Sequence, residues 1–189
     1  MRKLRVLLLP FSWIYWITVA IRNWLFTIGL KKSIEIPKKS ICVGNLSVGG
    51  TGKTPHVDLL VEHFIKQGIK TSTLSRGYGR STKGLREVFK SDIADYTGDE
   101  PLFYKCKYDE KINVVVAEKR LEGVHFISTK YPKNQLIILD DAFQHRTVKA
   151  GLNIIITEYN HRFTKDFILP VGNLRESKYG VKRADIIIV

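Results

Sequence analysis

Residues 41–54 read Ile41-Cys42-Val43-Gly44-Asn45-Leu46-Ser47-Val48-Gly49-Gly50-Thr51-Gly52-Lys53-Thr54, and this stretch decides the fold. The apolar run ending at Gly44 predicts a buried strand, and the glycines that follow predict a tight loop. After Thr54, Val57, Leu60, Val61, Phe64 and Ile65 recur at helical spacing. Strand, glycine loop and helix in this order form a phosphate-binding loop, because backbone N–H groups at a helix N-terminus close around phosphate oxygens. Ser47, Val48, Gly49, Gly50, Thr51 and Gly52 are the expected cradle, Lys53 the contact to the β- and γ-phosphates, and Thr54 a Mg²⁺ ligand through its hydroxyl. The strict pattern G-x-x-x-x-G-K-[ST] is missed at one position, since Ser47 stands where its first glycine would be.

A second apolar run, Leu136-Ile137-Ile138-Leu139, ends in Asp140-Asp141. A strand ending in carboxylates holds Mg²⁺ in phosphate-loop enzymes, directly or through water. Asp141 is the first choice as ligand and Asp140 the second, because adjacent side chains at a strand end point in different directions. Strands are expected at 40–44, 70–74, 112–117, 135–140, 152–157 and 184–189, alternating with helical stretches that include 53–67 and 118–130. That alternation predicts an α/β fold of the P-loop NTPase type, a mostly parallel sheet with flanking helices, whose ligands bind at the carboxyl ends of the strands.

The 189 residues, 44% hydrophobic, suit one ordinary domain. Composition excludes disorder and a disulfide scaffold, the absence of a repeat of about 20–50 residues excludes a solenoid, and Cys42 and Cys106 read as reduced thiols. A net charge of +13 predicts attraction to phosphates, anionic headgroups or nucleic acid. No recognised nucleic-acid signature accompanies the charge, so a nucleic-acid module is set aside.

Residues 1–30 stand apart. Between Arg5 and Arg22 lie 16 uncharged residues, with Arg2 and Lys3 ahead of them and Trp13, Trp16 and Trp24 in or near the run. The stretch is short of the roughly 20 residues a bilayer span needs, and Pro10 interrupts it. Aromatic residues with basic flanks suit a helix lying in a membrane interface. Packing on the domain's own core is the alternative, and a signal peptide fits poorly with a nucleotide site downstream. The expected organisation is a membrane-associating helix over 1–30 and a nucleotide-binding α/β domain over 31–189. Removing 1–30 is expected to release the protein from anionic vesicles and to leave ATP binding in place.

The loop from Gly44 to Pro55 resembles that of the lipid A 4′-kinase (tetraacyldisaccharide 4′-kinase) family, in which Ser at position 47 is accepted. Further matches follow in family order: Ser75-Arg76-Gly77-Tyr78-Gly79-Arg80, Gly98-Asp99-Glu100-Pro101, Asp140-Asp141-Ala142-Phe143-Gln144-His145, and Leu169-Pro170-Val171-Gly172-Asn173-Leu174-Arg175-Glu176. Ala142 replaces a more usual Gly and Ser177 a more usual Pro; neither change removes a reactive group. The resemblance implies transfer of the ATP γ-phosphoryl group to the 4′-hydroxyl of a tetraacyl glucosamine disaccharide 1-phosphate, at the cytoplasmic face of the bacterial inner membrane. It also implies a second α/β lobe beyond Val189 that supplies a histidine partner to Asp99. Mg-ATP binding is therefore expected within these 189 residues, and lipid phosphorylation is expected to need that lobe.

Within this frame Asp99 is the candidate that orients or deprotonates the acceptor hydroxyl, against the alternative that it only caps a helix. Arg175 is a candidate for neutralising charge during transfer. Arg76, Tyr78, Arg80 and Arg120 are candidate substrate contacts, with a solvated basic loop as the alternative for the first three. Gln144 is a further candidate, for a hydrogen bond to water or substrate near the metal, and His145 reads as a structural or surface histidine. A competing function is a membrane-targeting ATPase switch, but such switches carry a lysine before the paired glycines, where this chain has Val48. No Asn-Lys-x-Asp segment for guanine recognition follows Asp141.

Overall fold

The computed structural model describes residues 5–189; Arg2 and Lys3, two of the basic flanking residues, lie outside the described residues. All six expected strands form, as β2 (Lys39–Gly44), β3 (Thr71–Ser75), β5 (Ile112–Val116), β6 (Leu136–Asp140), β8 (Leu152–Ile156) and β9 (Ile186–Ile188). A short β4 (Arg86–Glu87) completes one seven-stranded sheet in the order β4-β5-β3-β6-β2-β8-β9. Every pairing in it is parallel except β4 with β5. β1 (Ile34–Glu35) and β7 (Val148–Lys149) form a separate parallel pair. These two-residue strands carry no apolar alternation, which is why the sequence did not disclose them.

Burial on both faces explains the unbroken apolar strands. Successive side chains of a strand point to opposite faces. Leu136 and Ile138 of β6 accordingly join one core with Val57 and Val61 of α2 (Lys53–Lys66), and with Tyr104 and Tyr108 of α4 (Asp99–Tyr108). Ile137 and Leu139 join the other core with Val124 and Ile127 of α5 (Arg120–Lys130). Each such fully buried aliphatic side chain contributes about 1.5–3 kcal/mol of transfer free energy. A four-residue α3 (Ala94–Thr97) precedes α4.

β6 lies between β3 and β2, so the chain skips one strand as it passes from β2 through α2 to β3. Val43 is in register with Asp140, and the Asp141 N–H donates to Val43 O. The glycine loop and the acidic strand end therefore stand side by side at the carboxyl edge. Gly44 makes this approach possible, since a Cβ there would lie 2.6 Å from Phe143 Cβ. Gly44→Ala is expected to destabilise the domain by about 1–3 kcal/mol through overpacking. A urea midpoint equal to that of the parent chain would show that the turn after Asp141 can shift at no cost.

The N-terminal helix α1 (Leu9–Thr27) buries only Ser12 and Phe26 among its side chains. Four of its polar residues face the domain. Ser12 Oγ donates to Ile168 O, Tyr15 OH to Arg175 O, Arg22 to Gln144 O, and Asn23 to Glu176. Apart from Phe26, its large apolar residues face mainly outward, with Phe11, Trp13, Ile14 and Trp24 all more than half exposed. Among the described residues no helix is long and apolar enough to cross a membrane.

Candidate nucleotide and phosphoryl-transfer site

The loop after β2 carries its strain on glycine. Gly49 (φ 116°) and Gly52 (φ 84°) take left-handed conformations that side chains disfavour. Ser47 is not among the positive-φ residues; it sits in an isolated antiparallel bridge with Leu174. Position 47 therefore has no need of glycine, which explains the departure from the strict pattern. The loop stem is zipped to the 173–175 segment, where Val48 N donates to Asn173 O and Arg175 N to Leu46 O, each at 2.8 Å. Asn45, fully buried, donates from Nδ2 to Thr51 Oγ1 at 2.8 Å and braces the loop from inside.

Gly52 is the N-cap of α2, and Lys53 and Thr54 are its first residues. Lys53 Nζ lies 3.7 Å from Asp141 Oδ1. Arg175 Nη1 donates to both oxygens of Asp141 at 2.9 Å. A φ of 51° turns Asp141 out of the strand direction, a conformation short polar side chains tolerate. Asp141 thus neutralises the two cations that a phosphate would otherwise meet.

Asp140 has a different setting. It is buried, Oδ2 accepts from Tyr104 OH at 3.1 Å, and Oδ1 has no hydrogen-bond partner. Burial, followed by the neighbouring charges of Glu100 and Asp141, pushes its pKa up to about 7. Thr54 Oγ1 donates to Glu100 Oε1 at 2.7 Å. Thr54, Glu100 and Asp140 thus offer three oxygen donors, one of them a buried orphan. Mg²⁺ prefers such a set, one or two carboxylates and a hydroxyl, with phosphate and water completing the shell. The residues present fit it. Among the described residues no group of three or more His, Cys, Asp and Glu side chains is placed to hold a metal ion by itself, so phosphate and water would have to complete the shell.

A cavity of about 410 Å³ opens beside this set, lined by Val48, Arg76, Tyr78, Arg120, Gln144 and Arg175 of the expected site residues. Asp140, Asp141 and Glu100 line it as well, and Tyr15, Arg22 and Asn23 of α1 close one side. Arg120 is buried, and its Nε and Nη2 have no partner; only Nη1 donates, to Ala117 O. Burial lowers its pKa to about 10, with Asp141 and Asp140 opposing, so it stays charged at neutral pH. His145 lines the cavity too; burial and then Arg120, Arg76 and Arg22 depress its pKa to about 4, leaving it neutral.

Two expected residues stand elsewhere. Arg80 is folded back by the turn at Gly77 (φ 69°) and pairs with Glu118 at 2.5 Å and with Gly84 O, so it does not line the cavity. Its role is bracing the 76–84 loop. Asp99 is the first residue of α4 and exposed; Gly98 is the N-cap, without a side-chain cap hydrogen bond. Sequence reasoning missed Glu100, Tyr104, Asn45 and Glu176 as site residues. Glu100 and Glu176 stand directly beside expected ones, but a neighbour's direction is set by helix phase and loop packing, which no motif spells out.

The family model of tetraacyldisaccharide-1-P 4′-kinase matches residues 4–189. The chain belongs to that family. Tetraacyldisaccharide 4′-kinase of Flavobacterium psychrophilum is 46% identical over 189 residues, covering 100% of this chain and 54% of the relative. The Bacteroides fragilis protein of the same description is 45% identical over 188 residues, covering 99% and 50%. Family member LpxK from Aquifex aeolicus, crystallised in complex with ATP, superposes with a TM-score of 0.87 at 38% identity over 97% of this chain and 58% of that one. The α/β architecture is therefore that of the tetraacyldisaccharide 4′-kinases, and this chain spans about half the length of the curated relatives it matches.

Proposed function

We propose that this chain carries the nucleotide-binding part of an ATP-dependent kinase that phosphorylates the 4′-hydroxyl of a tetraacyl glucosamine disaccharide 1-phosphate. The observation that carries the reading is the contact of Lys53 with Asp141 and of Thr54 with Glu100, two carboxylates that line the arginine-lined cavity together with Asp140. ATP is the donor, a reading supported by the ATP complex of the Aquifex relative. Residues 47–52 bind the phosphates through backbone N–H groups, and Lys53 exchanges Asp141 for the β- and γ-phosphates.

Thr54, Asp140 and Glu100 would hold Mg²⁺, with Asp141 contributing from the side occupied by Arg175. This reverses the order expected from sequence, because Asp141 is already matched by two cations while Asp140 keeps an unpaired oxygen. Mg²⁺ supplies positive charge that offsets the charge developing on the transferred group. Arg175, released from Asp141, neutralises charge on the same side. Arg76, Tyr78, Arg120 and Gln144 line the path of the acceptor, and Asp99, at the exposed start of α4 outside that lining, is the residue proposed to orient or deprotonate its hydroxyl.

The acceptor's acyl chains tie the enzyme to a membrane surface, on the cytoplasmic face of the inner membrane where ATP is present. The outward apolar face of α1 and the +13 charge suit that seat. An apolar groove of about 320 Å³ between Trp13 and Trp16 of α1 and Phe167 and Tyr179 suits hydrocarbon on the same helix.

Mass spectrometry of the acceptor lipid after incubation with Mg-ATP and membranes bearing the full-length gene product tests the reading. One added phosphoryl group per acceptor, dependent on ATP, is expected. ATP consumption without phosphorylated lipid would instead support the membrane ATPase switch.

A further inference from the structure

Four buried or half-buried side chains connect the N-terminal helix to the phosphate-binding loop. Asn23 Nδ2 of α1 donates to Glu176 Oε2 at 2.9 Å. Glu176, only 1% exposed, accepts at Oε1 from Gln144 Nε2 at 3.2 Å. The same Nε2 donates to Asn45 O at 2.8 Å, and Asn45 in turn holds Thr51 Oγ1 within the loop. Two flanking contacts run in parallel: Arg22 donates to Gln144 O at 3.0 Å, and Tyr15 OH donates to Arg175 O at 2.8 Å.

We infer that α1 is a positioning element of the phosphate-binding loop, with Asn23 acting through Glu176, Gln144 and Asn45. The inference rests on the reading of residues 47–54 as the nucleotide site. A buried carboxylate holds its place only while its donors are present, and neighbouring bonds in a low-dielectric network strengthen one another. Without Asn23, Oε2 of Glu176 keeps only Arg183, which draws at 2.6 Å from the far side of the network. Glu176 then moves toward Arg183, Gln144 loses the acceptor that fixes its amide, and the Asn45 carbonyl loses its donor. The loop amides that would grip phosphate are left with their glycine freedom.

The polar face of α1 carries this chain of bonds and the opposite face carries the exposed apolar side chains. Whatever seats the apolar face therefore also sets the loop. The expectation that residues 1–30 can be removed with ATP binding intact is revised accordingly. Asn23 is a positioning residue, since its contact is with Glu176 and not with the reacting groups.

The experiment is amide hydrogen exchange of the full chain without nucleotide, paired with Mg-ATP titration, for the parent, Asn23→Ala and Phe11→Ser, the last changing only an exposed apolar position. Asn23→Ala is expected to accelerate exchange at residues 46–52 and leave β5 amides protected, and to weaken Mg-ATP binding about 10-fold, within the range of coupling between linked sites. Phe11→Ser is expected to match the parent in both. Gln144→Ala combined with Asn23→Ala is expected to bind no more weakly than Gln144→Ala alone, the non-additivity of a shared network. Loop exchange in Asn23→Ala equal to the parent's overturns the inference. If Asn23→Ala accelerates exchange throughout the sheet, Glu176→Gln, which keeps the volume and one acceptor oxygen, decides by the same loop-against-β5 comparison. A parent chain that binds no Mg-ATP while its loop still responds to Asn23→Ala removes the nucleotide reading and leaves the coupling standing.

Discussion

Lys53→Ala is expected to lower phosphoryl transfer by about 10²–10³-fold, the usual cost of removing one preorganised electrostatic contact to the transition state. The lysine is 10% exposed and lies 3.7 Å from Asp141, so its charge sits where a γ-phosphate beside the strand end would need it. The fold should survive the change. Asp141 keeps Arg175 at 2.9 Å, which leaves no uncompensated carboxylate behind. Transfer from labelled ATP to acceptor lipid, measured on the full-length gene product beside its thermal midpoint, separates these effects. Near-parent turnover would defeat the assignment of the loop; lost turnover together with a collapsed midpoint would mean that Lys53 is needed for folding and would leave its chemical role without support.

Asp99→Asn is expected to suppress transfer by about 10²–10⁴-fold, the range supplied by a positioned general base, while nucleotide affinity stays within about twofold. The geometry sharpens this contrast. Gly98, not Asp99, occupies the N-cap of α4, and no side-chain cap hydrogen bond is made there. What Asn removes from the fold is only the favourable meeting of a carboxylate with the helix N-terminus, typically about 0.3–1 kcal/mol for an exposed group. Chemistry should therefore fail far more than folding. A variant that melts early yet transfers phosphate normally in its folded fraction would return Asp99 to a structural part.

The two variants probe different links. Lys53, the proposed donor contact, follows a loop whose shape is held by Asn45 and by the 173–175 segment. The proposed acceptor residue, Asp99, stands at the start of a helix tied to the phosphate-loop helix through the contact of its neighbour Glu100 with Thr54.

The sequence alone determined the order of strands and helices, the position of the phosphate loop, the acidic strand end and the family. Those features are local. Apolar runs four to six residues long, glycines ahead of Lys-Thr, and helical spacing from Val57 to Ile65 each state their meaning within a few residues. Tertiary structure decided what depends on distance through space. Only packing shows that Asp141 is matched by Lys53 and Arg175 while Asp140 is buried with a free oxygen, since adjacent residues at a strand end differ by where each peptide plane turns. Only packing separates Arg80, drawn back onto Glu118, from Arg76 and Tyr78 in the same glycine-rich turn. The N-terminal helix makes the point most fully. Its aromatic residues announced an outward apolar face, but Asn23, Tyr15 and Arg22 have partners more than 120 positions away. No pattern read along the chain couples residues so far apart; the folded sheet brings them within hydrogen-bond distance, where short-range forces can act.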